Sequence, residues 1–355
     1  MRPLRLIVYT DAQQFAGAER ALATMLAALD ERVHVAVLGV DEDVAAAIAA
    51  ARPGSELVVV RPVRDKRDIG AVRDHVRAVR RLEPDLFQAN LRTSWSCQYG
   101  SLAALLYGRA ALIAYEHAPL DIDSKIQRRL KRLLARRFAA HVAASAFAAK
   151  RVEEIAGLLP GSVRVIPCGV ADEPASGTHA PGRTVAAIGR LVPEKGFDLL
   201  VRALALVPDA TLVLVGDGPL RSELELLATR LGLRDRVDFR GWTYSVRAQL
   251  GEFDVVAVPS RFEAFGLTAV EAMLAERAVV ATHGGGLPEV VEDGATGLLV
   301  PPDDVDALAA ALRRLLDDRD LRRRLGSEGR ARALARFAPE AAARAFEQLY
   351  EQVLA

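Results

Sequence analysis

Cysteine is nearly absent, aromatic residues make up only 5% of the chain, and neither sign of charge is in excess. Two cysteines, Cys97 and Cys168, stand in 355 residues, each without a second ligand at finger-like spacing. That disfavours a disulfide scaffold and a Cys-rich metal site, and it fits a reducing, cytoplasmic setting. Lys and Arg number 47 against 46 Asp and Glu, a formal charge of +1, so there is no long-range electrostatic case for a nucleic-acid partner. No stretch reaches the ~20 consecutive apolar residues that span a bilayer, so any membrane contact is expected to be peripheral. The opening MRPLRLIVYT has too short an apolar core for a signal peptide and reads as a core strand.

What is present is apolar residue, 51% of the total, in a chain whose length suggests two domains. Short apolar runs (LRLIVYT, VHVAVLG, ELVVV, DLFQAN, ALIAYE, HVAAS, VRVIP) alternate with helix-compatible segments, the rhythm of a parallel sheet covered by helices on both faces. It stops at ADEPASGTHAPGR and resumes with TVAAIG, TLVLVGDG, VDFRG, VVAVPS, AVVAT and TGLLV. The expected division is 1–172, a linker at 173–182, 183–338, and a terminal helix at 339–355. Phe346, Leu349, Tyr350 and Val353 form the apolar stripe of that helix, which packs either across the domain junction or within the second domain.

Polar residues gather just beyond the strand-like runs. PSRFEAFGLTAVEAM puts Glu263 past a strand end and Glu271 on the helix that follows. Carboxylates there can accept hydroxyl hydrogen bonds, and the amides of Phe265, Gly266 and Leu267 can donate to phosphate, although a capped, solvated helix explains the same residues. In AIGRLVPEKGFDLL, Arg190 and Lys195 can neutralise one diphosphate or be ordinary surface cations, with Lys195 at the head of a helix running to Leu206. Asp217 of LVGDGP suits a cap of the next helix. Three glycines at 284–286 in THGGGLPEV suit an anion-binding turn or a purely structural one. In the first half, FAGAER with Gly17 follows the opening strand, and His117 of AYEHAPL lies near a strand end. FAGAER lacks the glycines of a dinucleotide fingerprint, and His117 is either a ligand contact or a structural histidine. DID at 121–123 precedes a helix, so Asp123 or Ser124 reads as its cap in preference to a metal ligand.

Taken in order, FAGAER, YEH, VIPCGV, AIGRLVPEKGFDLL, LVGDGP, VDFRGW, PSRFEAFGLTAVEAM and GGGLPEVVEDGATGLLVPPDD resemble glycosyltransferase family 4 over nearly the whole chain. The resemblance implies an α/β GT-B fold, two Rossmann-like domains whose parallel sheets face an interdomain cleft. It also implies a retaining transfer of sugar from a nucleotide-diphosphate donor to a hydroxyl of a glycan, lipid or small metabolite, with no metal and no cofactor beyond the donor. On this pattern Arg190 and Lys195 hold the diphosphate, Glu263 contacts the transferred sugar and Glu271 the ribose. Phe265, Gly266 and Leu267 line phosphate and sugar, Arg240, Gly241 and Trp242 frame the base, Gly17 lines the phosphate loop, and His117 approaches from the acceptor side. Two positions depart from the family pattern: Ala264 where EGFG is usual, and Cys168 within VIPCGV. A non-catalytic sugar-nucleotide binder and a sugar-nucleotide epimerase are the alternatives.

Along Ser124 to Arg137 and the Phe138 that follows, Ile126, Leu130, Leu133, Leu134 and Phe138 recur at helical spacing among seven basic residues. Such a helix either lies on an anionic membrane, at the inner face of the plasma membrane, or turns its apolar face to the core and leaves the basic face solvated.

Overall fold

A computed structural model of the chain describes residues 4–65, 67–173, 182–243 and 246–355. Residues 174–181, most of the expected linker, lie outside the described residues. The chain divides into two compact units, one made of Met1–Gly169 with Pro339–Ala355 and the other of Val170–Ala338.

The first unit holds a parallel sheet of β1 (Leu4–Thr10), β2 (Val33–Gly39), β3 (Glu56–Val59), β4 (Leu86–Leu91), β5 (Ala111–Glu116), β6 (Ala140–Ala143) and β7 (Arg164–Val165), in the order β3-β2-β1-β4-β5-β6-β7. Every residue of β4 is buried, as expected of a central strand covered on both faces. Val8 of β1 stands opposite Val37 of β2 and Gln88 of β4. The strand order reverses between β1 and β4, and such a reversal opens a crevice at the carboxyl ends of the strands.

The terminal helix Pro339–Leu354 packs within this unit, against the Gly17–Ala28 helix. Phe346 sets its ring edge-on to Tyr115 at 5.0 Å, and the Tyr350 hydroxyl donates to Gln88 Oε1 at 2.7 Å. Cys168 is buried with its Sγ 3.3 Å from the Tyr115 hydroxyl, a packed thiol with no catalytic partner at hand.

The Lys125–Ala135 helix, capped by Ser124, buries Lys131 and Ala135 and leaves Ile126, Leu130 and Leu133 exposed. That part of the apolar stripe does not pack on the core, whereas Leu134 is half-buried and Phe138, just past the helix, packs against the first core. The reason is one ion pair: Lys131 Nζ lies 2.5 Å from Glu116 Oε1, both side chains almost fully buried. Burial alone would raise the Glu116 carboxyl, but Lys131 and the nearby His141 hold it below its ordinary range.

The second unit holds β8 (Thr184–Ile188), β9 (Thr211–Val215), β10 (Val237–Gly241), β11 (Val255–Val258), β12 (Ala278–Thr282) and β13 (Leu298–Val300), all parallel, in the order β10-β9-β8-β11-β12-β13. Val185, Leu212, Val255 and Val280 pack with Leu200, Leu204 and Leu312 from the covering helices. Here the order reverses between β8 and β11. Among the described residues no helix is long and apolar enough to cross a membrane.

Phe346→Ala is expected to destabilise the first unit by about 3–5 kcal/mol, because the ring is fully buried and the site has little room to collapse. Urea unfolding followed by circular dichroism measures this, and a loss below about 1 kcal/mol would mean that the terminal helix is not part of that core.

Candidate active site

The loops after β8, β11 and β12 converge where the second sheet reverses, and their backbones brace one another. The carbonyl of Glu194 accepts from the amides of Arg261 (2.8 Å) and Phe262 (3.2 Å), and the Glu263 carbonyl accepts from Gly286 (2.8 Å). Gly196 takes φ 63°, and a methyl there would strike the carbonyl of Pro259; Gly285 takes φ 61°, and a methyl there would strike the carbonyl of Glu263. Only glycine meets both demands at each position. Gly196 also divides the expected 195–206 helix, so that Lys195 ends a separate turn, Pro193–Lys195, ahead of the helix Phe197–Ala205. Lys195 Nζ is thereby set 2.5 Å from Glu263 Oε2, both side chains partly exposed, with Ser260 Oγ 3.4 Å from the same oxygen.

One residue here was not anticipated. Arg261 donates to both carboxylate oxygens of Asp198 at 2.7 and 2.9 Å, to Asp303 at 2.6 Å and to the Pro193 carbonyl at 3.0 Å. These partners raise its pKa and draw that of Asp198 down. The clamp fastens the Lys195 turn to the Glu263 loop. Its only signal in the sequence was its place two residues before Glu263.

Arg190 stands exposed just past β8. Glu271 is buried on the helix Leu267–Leu274, which Leu267 opens and Gly266, at φ 110°, caps. First-turn amides of such a helix have no intrahelical acceptor and form an anion site. Phe265 is buried, edge-on to Phe337 at 5.4 Å, and the small Ala264 is buried beside it. Gly241 bridges to Gly216 while Trp242 is largely exposed. The Arg240 guanidinium is committed to Asp238 at 3.0 Å and Glu252 at 2.7 Å. Asp217 accepts from the Gly218 amide at 2.7 Å, so it closes the turn, and the following helix, Arg221–Arg230, has no side-chain cap.

In the first unit Gly17 opens the Gly17–Ala28 helix, whose Glu19 accepts from the Ala16 amide at 3.2 Å. Burial raises the Glu19 carboxyl, and among the described residues its Oε1 has no hydrogen-bond partner. His117, just past β5, sets Nε2 2.6 Å from Asn90 Oδ1 and its ring 4.1 Å from that of Tyr115. With the Asn90 amide so assigned, Nε2–H donates and Nδ1 is left as an acceptor. Loss of hydration pushes the imidazole down to about 3. Asn90 Nδ2 is buried and has no hydrogen-bond partner among the described residues. The sequence hinted at Asn90 only as a polar residue closing an apolar strand.

Residues 15–173 match Glycosyltransferase Family 4, and residues 172–332 match Glycosyl transferases group 1. Alpha-D-kanosaminyltransferase of Streptomyces kanamyceticus is 34% identical over 172 residues, 47% of this chain and 45% of that protein. MMP alpha-(1->4)-mannosyltransferase of Mycolicibacterium hassiacum is 33% identical over 263 residues, 72% of this chain and 62% of that protein. Among solved structures, Anabaena Alr3699/HepE in complex with UDP-glucose superposes with a TM-score of 0.86 at 25% identity, covering 98% of this chain and all of that one. The chain spans about half the length of the curated relatives it matches.

Gly285→Ala is expected to destabilise the second unit by at least about 1–3 kcal/mol, the cost of forcing a side chain into the left-handed region; an unchanged urea midpoint would mean that the Glu263 loop yields freely. His117 gives a pH prediction. Folding holds it neutral, so the unfolded chain takes up the proton first; its contribution is full above about pH 6.5 and is lost as pH falls toward 3. His117→Gln should therefore flatten the fall of Tm between pH 6.5 and 5, and the His117 ring proton should not titrate in that range by NMR. A midpoint near 6.5 would contradict the neutral assignment.

Proposed function

Because the two halves of the chain belong to Glycosyltransferase Family 4 and to the group 1 glycosyl transferases, we propose that the protein transfers a sugar, with retention, from a nucleotide-diphosphate donor to a hydroxyl acceptor. The fold is GT-B, built from two parallel-sheet α/β units. The observation that carries the proposal is the Lys195–Glu263 contact at the reversal of the second sheet, beside the amino end of the Leu267–Leu274 helix.

In this reading a diphosphate sugar divides the pair. The phosphate draws Lys195, joined by Arg190, while Glu263 turns to the hydroxyls of the sugar and Glu271 to those of the ribose. The amides of Phe265, Gly266 and Leu267 donate to phosphate. Fixed cations stabilise charge that grows on the leaving group, and need no reorganisation as the bond breaks. The bond from the anomeric carbon to the phosphate oxygen breaks, the acceptor oxygen bonds to that carbon on the same face, and the acceptor proton passes to the departing phosphate. No protein base is needed, and Arg190 with Lys195 supplies the positive charge that a metal gives elsewhere. Gly241 and Trp242 frame the base. Arg240 acts there through its backbone, since its guanidinium is held by Asp238 and Glu252.

On the acceptor side we assign His117, Asn90 and Glu19, with Gly17 in the adjoining loop. The free Nδ2 of Asn90 and Oε1 of Glu19 are the complementary donor and acceptor that a hydroxylated molecule satisfies. The acceptor classes are a glycan, a lipid or a small metabolite. We assign the enzyme to the cytoplasm, where the buried free thiols Cys97 and Cys168 stay reduced.

The test is a panel of nucleotide sugars with a mixed set of acceptors. One donor should bind and turn over, the product should keep the donor's anomeric configuration by NMR, and Lys195→Ala should lower turnover by about 10²–10³-fold. Binding without transfer, isomerisation of the donor alone, or an inverted product would each overturn the proposal.

A further inference from the structure

The Lys125–Ala135 helix is inside out for a protein dissolved in water. Ile126, Leu130 and Leu133 fall on one face at helical spacing and stand 72%, 48% and 61% exposed, while the inward face carries a lysine. No acidic residue occurs between Lys125 and Arg137. Lys125, Arg129 and Arg136 run along one edge of the apolar stripe and are exposed, and among the described residues none of the three has a carboxylate partner. Arg132 lies against Gly157, and the turn just beyond it offers Leu159, 78% exposed.

This orientation is fixed. Lys131 is tied to Glu116, the Arg128 guanidinium donates to the Ile122 carbonyl at 2.7 and 3.2 Å, and Ser124 caps the first turn. Rolling the helix to bury its leucines would pull Lys131 from Glu116 and strand a charge in the core.

We propose that this face docks the enzyme on an anionic lipid bilayer. Ile126, Leu130 and Leu133 enter the boundary between headgroups and acyl chains, and Lys125, Arg129 and Arg136 meet the anionic headgroups beside them. Charge complementarity selects this occupant. A second copy joined through the same face would bring two such helices together, and neither carries an acid to neutralise the other's basic edge.

The experiment is sedimentation of the full chain with vesicles of phosphatidylcholine alone or mixed with phosphatidylglycerol. Binding to the mixed vesicles should be at least about tenfold stronger and should weaken as salt rises. Leu130→Glu with Leu133→Glu should abolish it, and Arg129→Ala and Arg136→Ala should each lower it about fivefold. Leu226→Glu, exposed on the second unit, should leave it unchanged, and unaltered Tm values certify that the variants are folded. Equal binding to the two vesicle types, or binding that survives the double glutamate variant, would overturn the proposal. So would self-association without vesicle binding that the same variant abolishes, an outcome that assigns the face to a second copy. The assay contains no sugar nucleotide, so its failure would leave the transfer reading intact.

Discussion

The second unit depends on backbone packed directly against backbone where its sheet reverses direction. Gly196 against the Pro259 carbonyl and Gly285 against the Glu263 carbonyl leave no space for a methyl group, and the amides of Arg261, Phe262 and Gly286 close the remaining gaps. Three loops, from β8, β11 and β12, are thus one braced object, and Lys195 and Glu263 are carried on it to 2.5 Å. Rigid support of this kind holds a charged constellation ready for its ligand. It also explains how two opposite charges can wait there: each is the other's counterion, and in the proposed reading a ligand anionic at one end and hydroxylated at the other replaces both contacts.

The strand–helix rhythm was legible in the sequence because it is a local property. Each apolar run became a strand, and the polar residues that followed them stand at the strand ends, where a parallel sheet opens its crevice. The contact between Lys195 and Glu263 was not legible as a distance, since 68 residues separate them. What could be read was that both lie just past strands, and the strand order then brings β8 beside β11. Gly196 shows the limit of periodicity: its neighbours look helical from 195 onward, yet the close approach of Pro259 forces a left-handed residue that splits the segment.

Longer separations hid more. Tyr350 reaches Gln88 across 262 residues, so nothing near the terminal helix revealed which core would receive its stripe. Asn90, a polar residue at the centre of a buried sheet, showed its meaning only when His117 came to 2.6 Å. The Asp217 side chain was misread because a free amide one residue away, at Gly218, competes for it more effectively than the helix three residues on.

The basic helix is the case where hydrophobic pattern alone does not say which apolar residues turn inward: Leu134 and Phe138 are partly buried, while Ile126, Leu130 and Leu133 face out. Covering a Leu or Ile fully is worth about 1.5–3 kcal/mol, and Ile126, Leu130 and Leu133 are 72%, 48% and 61% exposed, so burying the rest would gain about 3–5 kcal/mol in all. Breaking the Lys131–Glu116 pair costs about 3–5 kcal/mol, because the partner left behind is a buried charge. The two amounts are of the same size, and the Arg128 and Ser124 bonds, added to the ion pair, hold the helix with its stripe outward. A bilayer removes the conflict: the apolar stripe leaves water while Lys131 stays on Glu116. Glu116 directly precedes His117, so the pair that orients the helix also anchors the strand end from which the His117 imidazole, proposed to serve the acceptor side, projects.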